Sequence, residues 1–315
     1  GLVNKLPFQV SYFYSKKIHK EILKEIENNK PDLIICQLIR MAEYVKDYKG
    51  IPKIIDYVDA ISFGLERRLS QSNLFLKFLI KNEYSRVLFY ELELSKKFDA
   101  QIIITQQDFS HINVIEKQNL FIVPNSVSDE FFVPRGIEKK FDLLFVGNMQ
   151  YPPNEDAAFF LLDKILPIIR KQRENITICI AGDSPSPRLM KYNSQTVCVK
   201  GWVDNIVDIY LQSRIFIAPL RLGSGLQNKL LQALAVGLPS ITSELSFQGL
   251  VKNPKDIVLV GGNPEEYARH AIQLLDDETY YSRINLTSKE FVIKNYSKEV
   301  VENQLLSVIN KFNLK

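Results

Sequence analysis

The chain has 315 residues, of which 46% are apolar and 24% charged, so it is an ordinary globular sequence long enough for two domain cores. Its formal net charge of +4 is too small to indicate a nucleic-acid partner, but it is compatible with weak attraction to an anionic membrane. No uninterrupted apolar run approaches about 18 residues, so the sequence predicts no transmembrane helix.

The three cysteines and three histidines show no spacing typical of a disulfide framework or a metal site. Cys36, Cys179 and Cys198 each lie alone in an apolar, strand-like run. This pattern is typical of small core residues in a reduced protein. We therefore expect a cytoplasmic protein with no bound metal and no cofactor.

The first half of the chain alternates between helical and strand-like patterns. Residues 12–29 and 62–98 have helical character, and Ile18, Ile22 and Ile26 recur at four-residue spacing. Four short apolar runs are predicted as strands: 33–36, 53–58, 100–105 and 120–123. This alternation indicates a parallel, doubly wound sheet.

A linker is predicted at 124–140, where Pro134 and Gly136 interrupt the pattern. Six strand-like runs follow it, at 143–146, 177–180, 197–199, 215–218, 240–242 and 257–260. Helical stretches separate most of them, as a complete Rossmann-like domain requires. We assign residues 1–134 to an incomplete N-terminal domain, 135–296 to a C-terminal domain, and 297–315 to a helix that crosses back to the first domain.

The stretch PLRLGSGLQNK at 219–229 connects a predicted strand to a predicted helix beginning near Leu226. Its glycines permit close approach of the backbone to a ligand, and the first N–H groups of a helix can bind an anion. Arg221 and Lys229 add positive charge beside that helix start. The same pattern is also compatible with an ordinary tight turn carrying two solvated cations.

The run GSGLQNKLLQALAVGLPSITS at 223–243 resembles the signature helix of family-4 retaining glycosyltransferases of the GT-B fold, especially those of exopolysaccharide systems. Four further segments match such transferases in the same order: VPN at 123–125, FVGNMQYPPN at 145–154, IAGD at 180–183 and GWVD at 201–204. The resemblance implies an α/β protein with two Rossmann-like domains whose parallel sheets face each other across a cleft.

That family resemblance implies transfer of a sugar from a UDP- or GDP-linked donor to a saccharide or lipid-linked acceptor, with retention of anomeric configuration. The protein is then expected in the cytoplasm, and a lipid-linked acceptor would place it at the inner face of the membrane. Cationic side chains would then serve where other transferases use a metal. The catalytic candidates are Asp59, Arg221 and Lys229, and no metal-binding residues are assigned.

The donor-binding candidates lie at strand ends and in the glycine loop. They are Gly147, Asn148, Gly182, Asp183, Trp202, Val203, Gly223, Ser224, Gly225, Leu226, Gln227, Asn228 and Gln232. Trp202 is expected either to stack on the nucleotide base or to be a core or lid residue.

The family's central motif has two glutamates eight positions apart, and this chain has Ser224 and Gln232 there instead. The second glutamate normally accepts hydrogen bonds from the ribose hydroxyls. A glutamine keeps one carbonyl acceptor and adds two donors but loses the charge, so we expect weaker ribose binding.

Asp59 follows a predicted strand, where relatives place a catalytic histidine or aspartate. Its carboxylate would orient the acceptor hydroxyl or take its proton, while Asp56 would satisfy backbone groups. The apolar and basic run at 75–81 is expected to be an amphipathic helix covering the sheet, with a membrane-bound helix as the alternative.

Two other functions share the fold: a sugar-nucleotide epimerase and a non-catalytic sugar-nucleotide-binding or assembly protein. The first lacks support because its paired carboxylates and histidine are not found, whereas Gln232 favours the second. The start at Gly1, the four strands against six, and the lack of a glycine loop before Asp32 predict a chain without the first strands of its N-terminal domain.

Overall fold

The computed structural model describes residues 6–133, 136–223, 225–252 and 254–313, without the side chains of residues 70, 71, 74 and 75. The chain divides into two compact units. The first comprises Gly1–Pro124 and Glu302–Lys315, and the second comprises Asn125–Val301.

The first unit is built on a four-stranded parallel sheet with strand order β1-β2-β3-β4. Its elements in chain order are α1 (Phe8–Phe13), α2 (Lys16–Asn29), β1 (Ile34–Gln37), β2 (Lys53–Asp56), α3 (Ile61–Gln71), α4 (Leu74–Leu94), β3 (Ala100–Ile103), α5 (Gln106–His111) and β4 (Leu120–Ile122). The core combines β2 and β3 with the second half of α4, where Val87, Tyr90 and Leu94 are buried.

The second unit is built on a six-stranded parallel sheet with strand order β10-β9-β8-β5-β6-β7. Its elements are β5 (Phe141–Val146), α6 (Pro152–Phe160), α7 (Leu166–Arg170), β6 (Ile178–Ala181), α8 (Pro187–Met190), β7 (Val197–Lys200), α9 (Ile206–Leu211), β8 (Ser213–Ala218), α10 (Asn228–Ala235), β9 (Ser240–Thr242), α11 (Glu244–Phe247), β10 (Val258–Val260), α12 (Pro264–Asp276) and α13 (Glu278–Tyr296). A last helix, α14 (Lys298–Ile309), begins in this unit and continues into the first.

All ten predicted strands are present, with ends that differ by at most a few residues. The helix predicted at 62–98 is two helices, because Asn73 starts a new one by accepting the N–H of Leu76 at 3.0 Å. The helix predicted at 12–29 is likewise broken, because Ser15 caps α2. The helix expected near Leu226 begins two residues later, at Asn228.

The apolar run at 75–81 does not cover the sheet, contrary to expectation. Leu76, Phe78 and Leu79 are exposed, and burial in α4 begins only near Val87. The prediction was wrong here because apolar composition does not reveal which end of a long helix projects past the core.

Candidate functional site

The strand order of the second unit has a topological switch point between β5 and β8. From β5 the chain adds β6 and β7 on one side, and it then returns to add β8, β9 and β10 on the other. In open α/β sheets, ligands bind outside the carboxyl ends of the strands at such a point. The candidate site therefore lies where β5 and β8 end and α6 and α10 begin.

Two glycines allow the ends of β5 and β6 to lie close together. Gly147 donates its N–H to the carbonyl of Ala181 at 3.0 Å. Gly182 has a φ of +137°, and a Cβ atom placed on it would lie 1.9 Å from the carbonyl oxygen of Gly147. No side chain fits there, so both predicted donor-binding glycines are required by the geometry of this edge.

Lys229 lies in the first turn of α10 and is partly buried. Its ammonium group donates to Oδ1 of Asn154 on α6 and lies 5.2 Å from the centre of the Phe145 ring. Asn154 in turn donates from Nδ2 to the carbonyl of Asn148 at 2.8 Å. This chain of contacts connects the start of α10 to the end of β5.

The Lys229 ammonium has no carboxylate partner within the described residues. Burial lowers its pKa to about 8, because desolvation disfavours the charged form. A partly buried cation is costly unless an anion compensates it. The site therefore offers a positive charge that the described part of the protein leaves unneutralised.

The two helices that start at this point lack side-chain caps. Neither Tyr151 before α6 nor Gln227 before α10 accepts a capping hydrogen bond. Five other helices of the unit, α8, α9, α11, α12 and α13, are capped by serine, asparagine or aspartate side chains. At the start of α10 the N–H groups of Asn228 and Lys229 are left for water or an anionic ligand. Helix α6 offers none, because Pro152 and Pro153 have no N–H and the next two N–H groups donate to the carbonyl of Tyr151.

Arg221 differs from Lys229, because a carboxylate holds it. Its guanidinium donates to both oxygens of Asp156 on α6, at 3.0 Å from Nε and 2.5 Å from Nη2. It also lies over the ring of Phe160, at 4.5 Å from the ring centre. Asp156 therefore offsets part of its charge.

Gln232 lies one turn after Lys229 on α10 and is in contact with the buried hydroxyl of Tyr210 on α9. That hydroxyl lies 3.0 Å from the carbonyl oxygen of Lys229 and 3.2 Å from Oε1 of Gln232. It has one proton and can donate to only one of them. If the amide is turned over, its NH₂ group donates to the hydroxyl, both contacts are satisfied, and Oε1 is free to accept from a ligand.

The glycine loop before α10 takes conformations that favour glycine, with φ of +106° at Gly223 and +77° at Gly225. Gly249 packs against it, since a Cβ there would lie 2.8 Å from the Gly225 carbonyl oxygen. Ser224, a predicted donor-binding residue, lies outside the described residues. Asn228 accepts at Oδ1 from the side chain of Asn125, at 3.1 Å.

The remaining donor candidates lie along the same edge of the sheet. Asp183 accepts the N–H of Met149 at its backbone carbonyl, at 2.8 Å. Trp202 is 76% exposed, which excludes the core-residue alternative and leaves its ring accessible. Val203 beside it is partly buried.

Asp59 lies in the first unit, just after β2, next to a strained turn. Val58 has a φ of +67°, rare for a β-branched residue, and its N–H donates to Oδ1 of Asp56 at 3.0 Å. Oδ1 of Asp59 is buried and accepts no hydrogen bond from the described residues. Burial, followed by the charges of Asp108 and Asp56, raises the pKa of Asp59 to about 6.

Asp108 of α5 completes this acidic group and was not predicted. It accepts the hydroxyl of Thr105 at 2.5 Å and the N–H of Ala60 at 3.2 Å. Asn154, Asp156 and Tyr210 were missed in the second unit as well. Their one sequence signal is a position near a strand end or on a helix that follows one, which many structural residues share.

Within the described residues, no group of three or more histidine, cysteine, aspartate or glutamate side chains could hold a metal ion. Among those same residues, no helix is long and apolar enough to cross a membrane.

Comparison with known proteins shows which family part of this chain resembles. Residues 140–277 match the family described as "Glycosyl transferases group 1". An uncharacterised 44.6 kDa protein of the Klebsiella pneumoniae cps region is 24% identical over 176 residues, which cover 51% of this chain and 45% of that protein.

Solved structures give the fold. The crystal structure of TarM matches with a TM-score of 0.70 and 14% identity, over 92% of this chain and 57% of TarM. The Anabaena protein HepE in complex with UDP matches with a TM-score of 0.71 and 10% identity, over 92% of this chain and 82% of HepE. The chain thus spans about half the length of the first relatives it matches.

Residues 140–277 thus match the glycosyl transferases group 1 family, and the chain has the GT-B fold of its structural neighbours. Both findings confirm the resemblance drawn from the sequence motifs.

Proposed function

We propose that the protein is a metal-independent, retaining glycosyltransferase that uses a nucleotide diphosphate sugar, UDP- or GDP-linked. Its acceptor would be a polysaccharide or glycolipid of cell-surface or exopolysaccharide biosynthesis. The observation that carries this proposal is Lys229, a partly buried ammonium group without a carboxylate partner in the described residues, in the first turn of a helix that has no side-chain cap. Such a site favours a diphosphate, and the related HepE structure contains UDP.

The chemistry requires stabilisation of the departing diphosphate. As the bond between the anomeric carbon and the phosphate oxygen breaks, negative charge grows on that oxygen. Lys229 and the free N–H groups at the start of α10 would stabilise this charge without a metal. Arg221 would contribute less, because Asp156 already offsets its charge.

The acceptor oxygen would bond to the anomeric carbon on the face that the diphosphate leaves. Its proton would pass to the departing phosphate oxygen or to Asp59, whose pKa of about 6 leaves it mostly ionised at neutral pH. Gln232 would accept from the ribose, and the exposed ring of Trp202 would stack on the base. A glycolipid acceptor would place the reaction at the inner face of a membrane.

Lys229→Ala tests the donor site. Losing a charge-assisted hydrogen bond of about 1.5–3 kcal/mol should weaken UDP or GDP binding about ten- to a hundredfold by calorimetry. Binding to the unchanged protein should weaken as pH rises through about 8, where Lys229 loses its proton. The variant should show no such pH dependence.

The matched control is Lys191→Ala, which removes an exposed lysine of the same unit. Equal nucleotide affinity in Lys229→Ala and in the unchanged protein would refute the donor site. Thermal stabilisation by UDP, GDP and their sugars would identify the donor, because a ligand of the folded state raises Tm. Binding without transfer to any acceptor would favour the non-catalytic alternative.

A further inference from the structure

The first two turns of α4 form an apolar surface that the described residues do not cover. In the run LKFLI at 76–80, four of the five residues are apolar. Phe78 is 74% exposed, and Leu76 and Leu79 are 45% and 44% exposed. A cluster of large apolar side chains exposed on one helix marks a surface that contacts another protein or a membrane.

The same turns carry positive charge without compensating carboxylates. Lys77 and Lys81 are exposed, and no aspartate or glutamate occurs between Glu66 and Glu83. Glu83 is engaged elsewhere, because both its oxygens accept the backbone N–H of Phe8, at 2.8 and 3.0 Å. Lys77 and Lys81 therefore place positive charge within the apolar surface.

Helix α1 lies beside α4 and adds aromatic side chains. Arg86 of α4 lies over the Phe8 ring at 4.8 Å from its centre, and Glu83 holds the Phe8 backbone. Tyr12, one turn after Phe8, is 84% exposed. Helices that lie in a membrane interface typically carry exposed aromatic rings together with lysines and leucines.

We propose that this surface, which we call the α4 tip and define as residues 76–81, docks on an anionic lipid bilayer. Phe78, Leu76 and Leu79 enter the boundary between headgroups and acyl chains, and Lys77 and Lys81 contact anionic headgroups. A second copy of the chain fits less well, because two such tips would bring like charges together. The inference extends the membrane-side part of the proposed function, where a lipid-linked acceptor would be held.

The test is flotation of the purified protein with vesicles. The protein should bind phosphatidylcholine vesicles containing phosphatidylglycerol, and it should bind pure phosphatidylcholine vesicles at least about tenfold more weakly. Phe78→Ser and the double variant Lys77→Gln/Lys81→Gln should each lower partitioning to the anionic vesicles about tenfold. Added salt should weaken binding of the unchanged protein, since it screens the lysines.

Matched controls come from the second unit. Leu286→Ser removes an apolar side chain that is 60% exposed, and Lys171→Gln/Lys191→Gln removes two exposed lysines. These variants should bind vesicles as the unchanged protein does, and circular dichroism should show that every variant is folded.

Equal binding to neutral and anionic vesicles, or no loss of binding in the tip variants, would overturn the proposal. So would a dimer in sedimentation that Phe78→Ser dissociates, because a second copy would then cover the tip. Lys229→Ala should retain full vesicle binding. Failure of the donor site and failure of the membrane surface are therefore distinguished by separate measurements.

Discussion

The two units place opposite chemistry at the same structural position. Just past the strand ends of its sheet, the second unit holds Lys229 without a carboxylate partner, and the first unit holds Asp59 beside Asp108, two acids close together. Burial acts against the charge in both cases, lowering the pKa of the lysine to about 8 and raising that of the aspartate to about 6. A parallel sheet thus provides a place for a site, and the side chains decide whether it attracts an anion or accepts a proton.

The largest expected effect comes from breaking the edge that supports the Lys229 site. In Gly182→Ala the new Cβ would lie 1.9 Å from the carbonyl oxygen of Gly147, and the backbone φ of +137° is itself unfavourable for alanine. We expect a loss of at least about 3 kcal/mol in the free energy of unfolding, measured by urea titration. Nucleotide binding should fall with it, because the ends of β5 and β6 must separate.

Gly201→Ala is the control for that substitution. Its Cβ would meet only Cδ of Pro185, at an ordinary contact distance of 3.8 Å. Gly201→Ala should therefore keep nearly the full free energy of unfolding, whereas Gly182→Ala should lose about 3 kcal/mol or more. A Gly182→Ala protein as stable as Gly201→Ala would show that the two strand ends are not packed as described.

A smaller change in the free energy of unfolding is expected at Asp59 in the first unit. The folded-state pKa of Asp59 is raised, so its contribution to stability is present at low pH and is lost as pH rises from about 4 through about 6. Asp59→Asn removes the buried charge and should increase the free energy of unfolding at pH 8 by about 1–2 kcal/mol, after allowance for its partial exposure.

For Asp59→Asn, both the free energy of unfolding at pH 8 and the transferase activity are measured. If Asp59 takes the acceptor proton, kcat/KM of the unchanged protein should fall below pH 6 as the carboxylate is protonated. Asp59→Asn should be slower and lose that pH dependence. A variant that is less stable at pH 8 and equally active would show that Asp59 serves the fold alone.

The strands and the glycine loop could be predicted from sequence because each is specified locally. Strands of a covered parallel sheet are short apolar runs, and all ten were found this way. The helix break at Asn73 was missed, although an asparagine at a helix start is a known capping signal. Its surroundings were strongly helical, and the local pattern concealed it.

The partners of the predicted site residues could not be found in the same way. Asn154 lies 75 positions before Lys229, and Asp156 lies 65 positions before Arg221. Both pairs form because α6 follows β5, and Arg221 and Lys229 follow β8, and these two strands are neighbours in the sheet but distant in the chain. That strand order is a property of the fold, and no residue near Lys229 or Arg221 encodes it.

The smallest expected effect is at Gln232, where this chain departs from the family motif. In Gln232→Glu one carboxylate oxygen can accept a hydrogen bond from the Tyr210 hydroxyl, and the other can accept one from a ribose hydroxyl. Both hydrogen bonds are strengthened by the negative charge. Affinity for UDP should stay the same or tighten by up to about tenfold, as measured by calorimetry. The preference for UDP over 2′-deoxy-UDP should increase, because the hydrogen bond to the ribose is the one contact with the nucleotide that the substitution strengthens. Tyr210→Phe is the companion variant: it releases the glutamine amide from its orientation, so that preference should decrease a few-fold while the fold is retained. Unfolding of Gln232→Glu, or loss of nucleotide binding in it, would mean that Gln232 packs in the interior and that ribose is held elsewhere.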